Sequence, residues 1–115
     1  MNSVILIGNL ASDVELREFA EDKRRATFRL AVDRNGKDAE ADFFQIVVWD
    51  RQAQLCAEYL AKGRKIGLEG RLRYRTWEEE GQKRSAVEVV AYRVQFLSGP
   101  AQSGGEVVPF EAAVA

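Results

Sequence analysis

Histidine is absent from this 115-residue chain and cysteine occurs once, at Cys56. The commonest general base and the commonest zinc ligand are therefore missing, and one thiol can form neither a metal-binding cluster nor an internal disulfide. No glycine-rich phosphate loop followed by Lys and Ser or Thr occurs, because Gly67 and Gly70 lie inside an alternating segment. Glu78-Glu79-Glu80 reads as a solvated hairpin tip rather than a metal site. These gaps argue against an enzyme, and no cofactor or metal is expected. Also lacking is a run of about eighteen apolar residues. Met1-Asn2-Ser3 before Val4 to Ile7 has neither the basic start nor the length of a signal peptide. Cys56 sits in a helical pattern and reads as a small core residue, so a reducing cytoplasm fits best and no membrane is expected.

An excess of charge of one sign is missing too. Residues 1–99 hold all 17 Lys and Arg with 16 of the 18 Asp and Glu, and Glu106 and Glu111 follow, for a net charge of −1. A near-neutral body argues against a protein that coats duplexes non-specifically through its overall charge. Local basic tracks remain: Lys23-Arg24-Arg25, Lys62 to Lys65 and Arg71 to Arg75, which a fold could align into a groove. The length fits one domain, burying roughly two-thirds of the surface of its unfolded chain.

What is present is alternation. Between Lys65 and Trp77, Ile66, Leu68, Leu72 and Tyr74 share one parity, while Lys65, Glu69, Arg71, Arg73, Arg75 and Trp77 share the other. Successive strand residues point to opposite faces, so the segment reads as a long strand with an apolar inner face and an outer row of arginines ending in an indole. Such a row is often only a solvated sheet surface. An exposed indole beside three guanidinium groups points instead to a phosphate backbone with bases stacked alongside. In Asp42 to Trp49 both parities are apolar: Phe43, Val47 and Trp49 on one, Phe44, Ile46 and Val48 on the other. One face suits a barrel core, and the other a neighbouring subunit, bound bases, or both.

The remaining elements are short. Val4 to Leu10 is an apolar strand in which Gly8 suggests a bulge or bend, and Ala26 to Val32 alternates with Phe28, Leu30 and Val32 on one face. Gln52 to Leu60 carries a helical stripe of Leu55, Cys56, Tyr59 and Leu60, with Lys62-Gly63 as its cationic end and terminal glycine. Glu78 to Lys83, centred on Gly81, reads as a hairpin loop, and Val87 to Leu97 as the last strand. Three strands, a helix and two strands is the order of the OB-fold, a five-stranded, partly open, all-β barrel with one helix. Residues 1–97 are expected to form this domain and residues 98–115, rich in Gly, Pro, Ser and Ala, a flexible tail.

In order and spacing the segments Val4-Ile5-Leu6-Ile7-Gly8-Asn9-Leu10, Glu15-Leu16-Arg17, Ala26-Thr27-Phe28, Asp42-Phe43, Val47-Val48-Trp49, Glu58-Tyr59-Leu60, Glu69-Gly70-Arg71-Leu72, Arg75-Thr76-Trp77 and Glu88-Val89-Val90 resemble the bacterial single-stranded DNA-binding proteins. The resemblance covers about residues 3–97 and is to a short form of the family. It implies a homo-tetramer, a dimer of dimers, that binds single-stranded DNA without sequence preference and protects it during replication, recombination and repair in the nucleoid. By the same resemblance Phe43, Trp49 and Trp77 are base-stacking positions, and Arg71, Arg73 and Arg75 lie along the DNA track, with Lys65 and Arg34 as further contacts. Val4, Leu6 and Phe44 are expected at subunit contacts. From the residues themselves, Val4 to Ile7 and the Phe44 face offer more apolar surface than one barrel is expected to bury, which also favours an edge-strand dimer.

The chain departs from the family pattern in three places. Val14 stands where a proline is usual, Asp33 to Asp42 carries no aromatic at or near Gly36, and a long linker with an acidic tip is not present. Val107-Val108-Pro109-Phe110 keeps a Pro-Phe pair with only Glu106 and Glu111 as charge, so the tail is read as disordered or locally packed, with docking of replication or repair proteins as the other possibility. One alternative function stays open: an OB-fold protein-interaction module resembling primosomal accessory proteins.

Overall fold

The computed structural model describes residues 1–34 and 40–97. In chain order the elements are β1 (Val4–Leu10), β2 (Glu15–Ala20), β3 (Lys23–Asp33), β4 (Ala41–Trp49), α1 (Asp50–Tyr59), β5 (Lys65–Glu79) and β6 (Gln82–Phe96). The expectations for the Gly36 region and for the tail at 98–115 fall outside the described residues.

The strand pairings run in a ring. β1 pairs antiparallel with β5 from Val4↔Gly70 to Asn9↔Lys65, and β5 pairs with β6. β6 runs parallel to β4 at Ile46↔Val89, Val47↔Val90 and Val48↔Ala91. β4 pairs with β3, and β3 returns to β1 at Asn9↔Ala31 and Leu10↔Leu30. This is the OB-fold arrangement, with one strand more than expected. β2 adds to the free side of β3, and its sequence gave no alternation because all six of its residues are exposed. No apolar face of its own draws it into the core.

Inside the ring, Phe28, Leu30, Ile46, Val48, Ile66, Val89 and Val94 are fully buried, each side chain stabilising the fold by about 1.5–3 kcal/mol relative to exposure. Ala53, Cys56 and Leu60 bring α1 onto the same cluster. The helix starts two residues earlier than expected and ends at Tyr59, so Lys62 and Gly63 form the turn behind it. Gly63 adopts a φ of 97°, and its N–H donates to Leu10 O at 2.9 Å.

Two glycines permit the ring to close. A Cβ on Gly8 would lie 2.2 Å from Ala31 O, where β1 leaves β5 and meets β3. A Cβ on Gly70 would lie 2.2 Å from Val90 O, beside the bulge at which Tyr92 is the extra residue of β6.

Beyond Gly70, β5 and β6 continue as a two-stranded arm. It turns through Glu80 (φ 52°) and Gly81 (φ 78°), the left-handed pair of a tight hairpin. The loop expected over Glu78 to Lys83 therefore shrinks to two residues, and the last strand begins at Gln82 rather than Val87. The expectation of a continuous apolar inner face on β5 is overturned here: Leu72 is 44% exposed and Tyr74 67%. Alternation assigns them a side, but no core lies behind a two-stranded arm. Asn2 fastens the arm's base, its Nδ2 donating to Leu72 O at 2.8 Å and its Oδ1 accepting from Leu72 N–H at 2.9 Å.

Candidate nucleic-acid interface

Residues paired in register share a face of a sheet, so the ladders carry one surface across five strands. Arg71 opposes Val90, Val90 opposes Val47, Val47 opposes Thr27, and Thr27 opposes Glu15. Val47 and Val90 are buried yet lie outside the core cluster, which makes them the floor of this outer face. The same parity brings up Arg73, Arg75 and Trp77 on β5, Phe43, Gln45 and Trp49 on β4, Arg25 and Arg29 on β3, and Arg17 on β2.

The expected stacking residues all fall on this face. Phe43 is 54% exposed, with the Arg29 guanidinium 4.8 Å from its ring centroid. Trp49 is partly buried and opposes Arg25. Trp77 lies on the arm, seven residues past Gly70 and hence roughly 20 Å from it at ~3.3 Å per residue. One side of its indole carries the Arg75 guanidinium at 4.5 Å. That contact resolves the exposure problem posed by the sequence.

The arginine row is less free than its spacing suggests. Arg73 donates through Nε to Glu88 Oε1 at 3.1 Å and also through Nη2, and Arg75 Nε lies 3.5 Å from Glu88 Oε2. Glu88 is only 5% exposed. One buried carboxylate thus holds two guanidinium groups in place from across the arm, while Arg71 stays exposed beside Val90.

Two other expected contacts stand apart. Lys65 is at the opposite end of β5, against Asn9 of β1. Arg34 follows β3 and donates through Nε to Asp42 Oδ1 at 2.9 Å, a hydrogen bond that raises the guanidinium above its ordinary pKa. Phe44 is partly buried and packs against the core. Val4 and Leu6 share the inward parity of β1, Leu6 against the core, and the exposed parity is Ile5 and Ile7.

Arg17, Arg25 and Arg29 joined the face only through strand pairing. A usable signal for two of them was the polar parity opposite Phe28 and Leu30, which reads Arg25, Thr27, Arg29. Among the described residues no group of three or more His, Cys, Asp or Glu is placed to hold a metal ion, and no helix is long and apolar enough to cross a membrane. Burial pushes the Cys56 thiol up to about 12, which leaves it protonated and inert.

Known proteins share this architecture. A solved structure described as a Plasmodium falciparum SSB complex with ssDNA superposes with a TM-score of 0.72 at 28% identity, over 78% of this chain and 85% of that one. Curated relatives named single-stranded DNA-binding protein include one from Clostridium tetani, 47% identical over 91% of this chain and 77% of its own length. Another, from Treponema pallidum, is 40% identical over 84% of this chain, which spans 58% of that relative. A family model described as the Single-strand binding protein family matches residues 1–97. With the ring of pairings, the arm and the relatives in agreement, the chain belongs to the Single-strand binding protein family.

Proposed function

We propose that this protein binds single-stranded DNA without sequence preference and shields it during replication, recombination and repair. The observation that carries the reading is the outer face itself, where Phe43, Trp49 and Trp77 stand among Arg25, Arg29, Arg71, Arg73 and Arg75 on one continuous surface. Rings stack on any base and guanidinium groups neutralise any phosphate, so neither reads sequence. Family membership and the relative solved with ssDNA support it, and they favour it over the protein-interaction alternative.

The chain acts as a homo-tetramer in this reading, and a dimer of dimers needs two self-complementary contacts. β1 is an edge strand over Val4 to Ile7, where Ile5 is 71% exposed and Ile7 55%, and we assign the first contact to these two. The second is the apolar side of the arm, Leu72, Tyr74 and Val87. Residues 1–97 serve as the binding domain. Replication and repair proteins are the further partners to be sought. A nucleoid location follows from the ligand.

Titration with dT oligonucleotides at low and high salt tests the function. Tight binding that weakens with salt and quenches tryptophan emission is the expected result, since both tryptophans lie on the face. Unchanged emission at saturating oligonucleotide, or no binding at low salt, would refute it.

A further inference from the structure

We propose that the β2–β3 hairpin carries an additional nucleotide subsite in which Phe19 presents a base-stacking ring beside Trp49 and Arg17, Lys23 and Arg25 receive the adjoining phosphate. The proposal rests on the single-stranded DNA reading and extends its track onto β2.

The backbone gives the first argument. Glu18 pairs with Arg24 and Ala20 with Lys23, so Phe19 is the unpaired residue of a β-bulge. Bulges re-aim side chains, and this one leaves the Phe19 ring 51% exposed with its centroid 6.2 Å from that of Trp49, the two planes inclined by 32°. An apolar ring on a strand that is exposed throughout buries little by lying there.

Charge gives the second. Arg25 lies 5.0 Å from the Phe19 centroid and 6.0 Å from that of Trp49, Arg17 is 5.8 Å over Phe19, and Lys23 is 6.0 Å over Trp49. Among the described residues none of these three cations forms an ion pair, and Arg25 Nε is buried without a hydrogen-bond partner. The hairpin does not lack carboxylates: Glu18 engages Arg24, while Glu15, Glu21 and Asp22 stay beyond ion-pair distance of the cluster. Three uncompensated cations around two rings repel one another in the free protein. A planar group flanked by an anion relieves both features at once, and a nucleotide is that group.

Continuity gives the third. Trp49 opposes Arg25 and Arg25 opposes Arg17 in register, so the cluster lies on the outer face and shares Trp49 with it.

The test compares the full chain with Phe19→Ala and Phe19→Leu, measuring affinity for a dT oligonucleotide long enough to span one subunit, with Trp77→Ala as a reference. Because Phe19 is half exposed, all variants should melt with the parent. Both Phe19 variants should bind about fivefold more weakly, the low end for loss of one base–aromatic stack. Parental affinity in Phe19→Ala would overturn the proposal. So would restoration by Phe19→Leu, since an apolar filler then suffices and the ring only packs on Trp49. In either case a weakened Trp77→Ala would leave the underlying reading standing, whereas a parent that binds no oligonucleotide would overturn both.

Discussion

Replacing Glu88 by Gln probes how strongly the arginine track is charged. Arg73 and Arg75 share one carboxylate whose side chain is 7% exposed, so these three groups and Arg71 together carry a net +2. At roughly −0.7 in the salt slope for each phosphate neutralised on a single strand, they should contribute about −1.4, where three free arginines would give about −2.1. Gln keeps an oxygen that can accept from Arg73 and removes the charge. The slope of log affinity against log salt should therefore steepen by about 0.7, with tighter binding at low salt. Stability should move the other way. The two arginine side chains are 36% and 50% exposed and their guanidinium groups can rehydrate, so the loss should stay near 1–3 kcal/mol rather than reach the range for a fully buried pair. Fluorescence titration between about 50 and 200 mM salt reads the slope, and a thermal melt reads the cost. Identical slopes in parent and variant would refute the reasoning, because the carboxylate would then not compete with phosphate.

Three further outcomes are expected. Cys56 is held up to about 12 by burial against an ordinary 9.0, so stability is intact below pH 9 and falls as pH rises towards 12, while the unfolded thiol ionises and the folded one does not. Between pH 9 and 11 the parent should lose up to about 1.4 kcal/mol of stability per pH unit more than Cys56→Ala, read as a steeper fall in melting temperature, and parallel profiles would count against the assignment. Gly70→Ala should cost more than the ~1 kcal/mol gain usual for Gly→Ala at a compatible site, because its Cβ meets the Val90 carbonyl at 2.2 Å; a melt no lower than the parent's would contradict that geometry. Ile7→Glu should dissociate the proposed tetramer in sedimentation while leaving the monomer folded, and an unchanged sedimentation coefficient would count against placing a subunit contact at Ile7.

Sequence pattern carried the barrel where one face was buried and the other was not. Phe28 and Leu30 against Arg29, or Ile66 and Leu68 against Lys65 and Glu69, announce strand and inward side together. The same rule failed at Leu72 and Tyr74, since alternation specifies a side and says nothing of what lies behind it. It was silent at Glu15–Ala20, where every side chain meets solvent. Of the site, Phe43, Trp49, Trp77 and the arginines of β5 were legible as residues on one strand each. Glu88 was not, sitting in an apolar string with nothing local to mark it as the partner of Arg73 fifteen residues away. Arg17, Arg25 and Arg29 likewise join the face only once β2, β3 and β4 are paired.

The ring of pairings also sets the order in which the chain can take shape. β2, β3 and β4 are joined by local hairpins, and the end of β1 meets β3 at Asn9 and Leu10, whereas Val4 to Ile7 must wait for β5, with Val4 meeting Gly70. During synthesis Val4 to Ile7 is thus an apolar strand without a mate until more than half of the domain has left the ribosome. The parallel seam between β4 and β6 forms later still, as its registers join Ile46 to Val89. Pairings so distant along the chain slow folding and lengthen the exposure of sticky strands. Nascent chains cut before β5 should therefore be the form of this protein that most needs a chaperone.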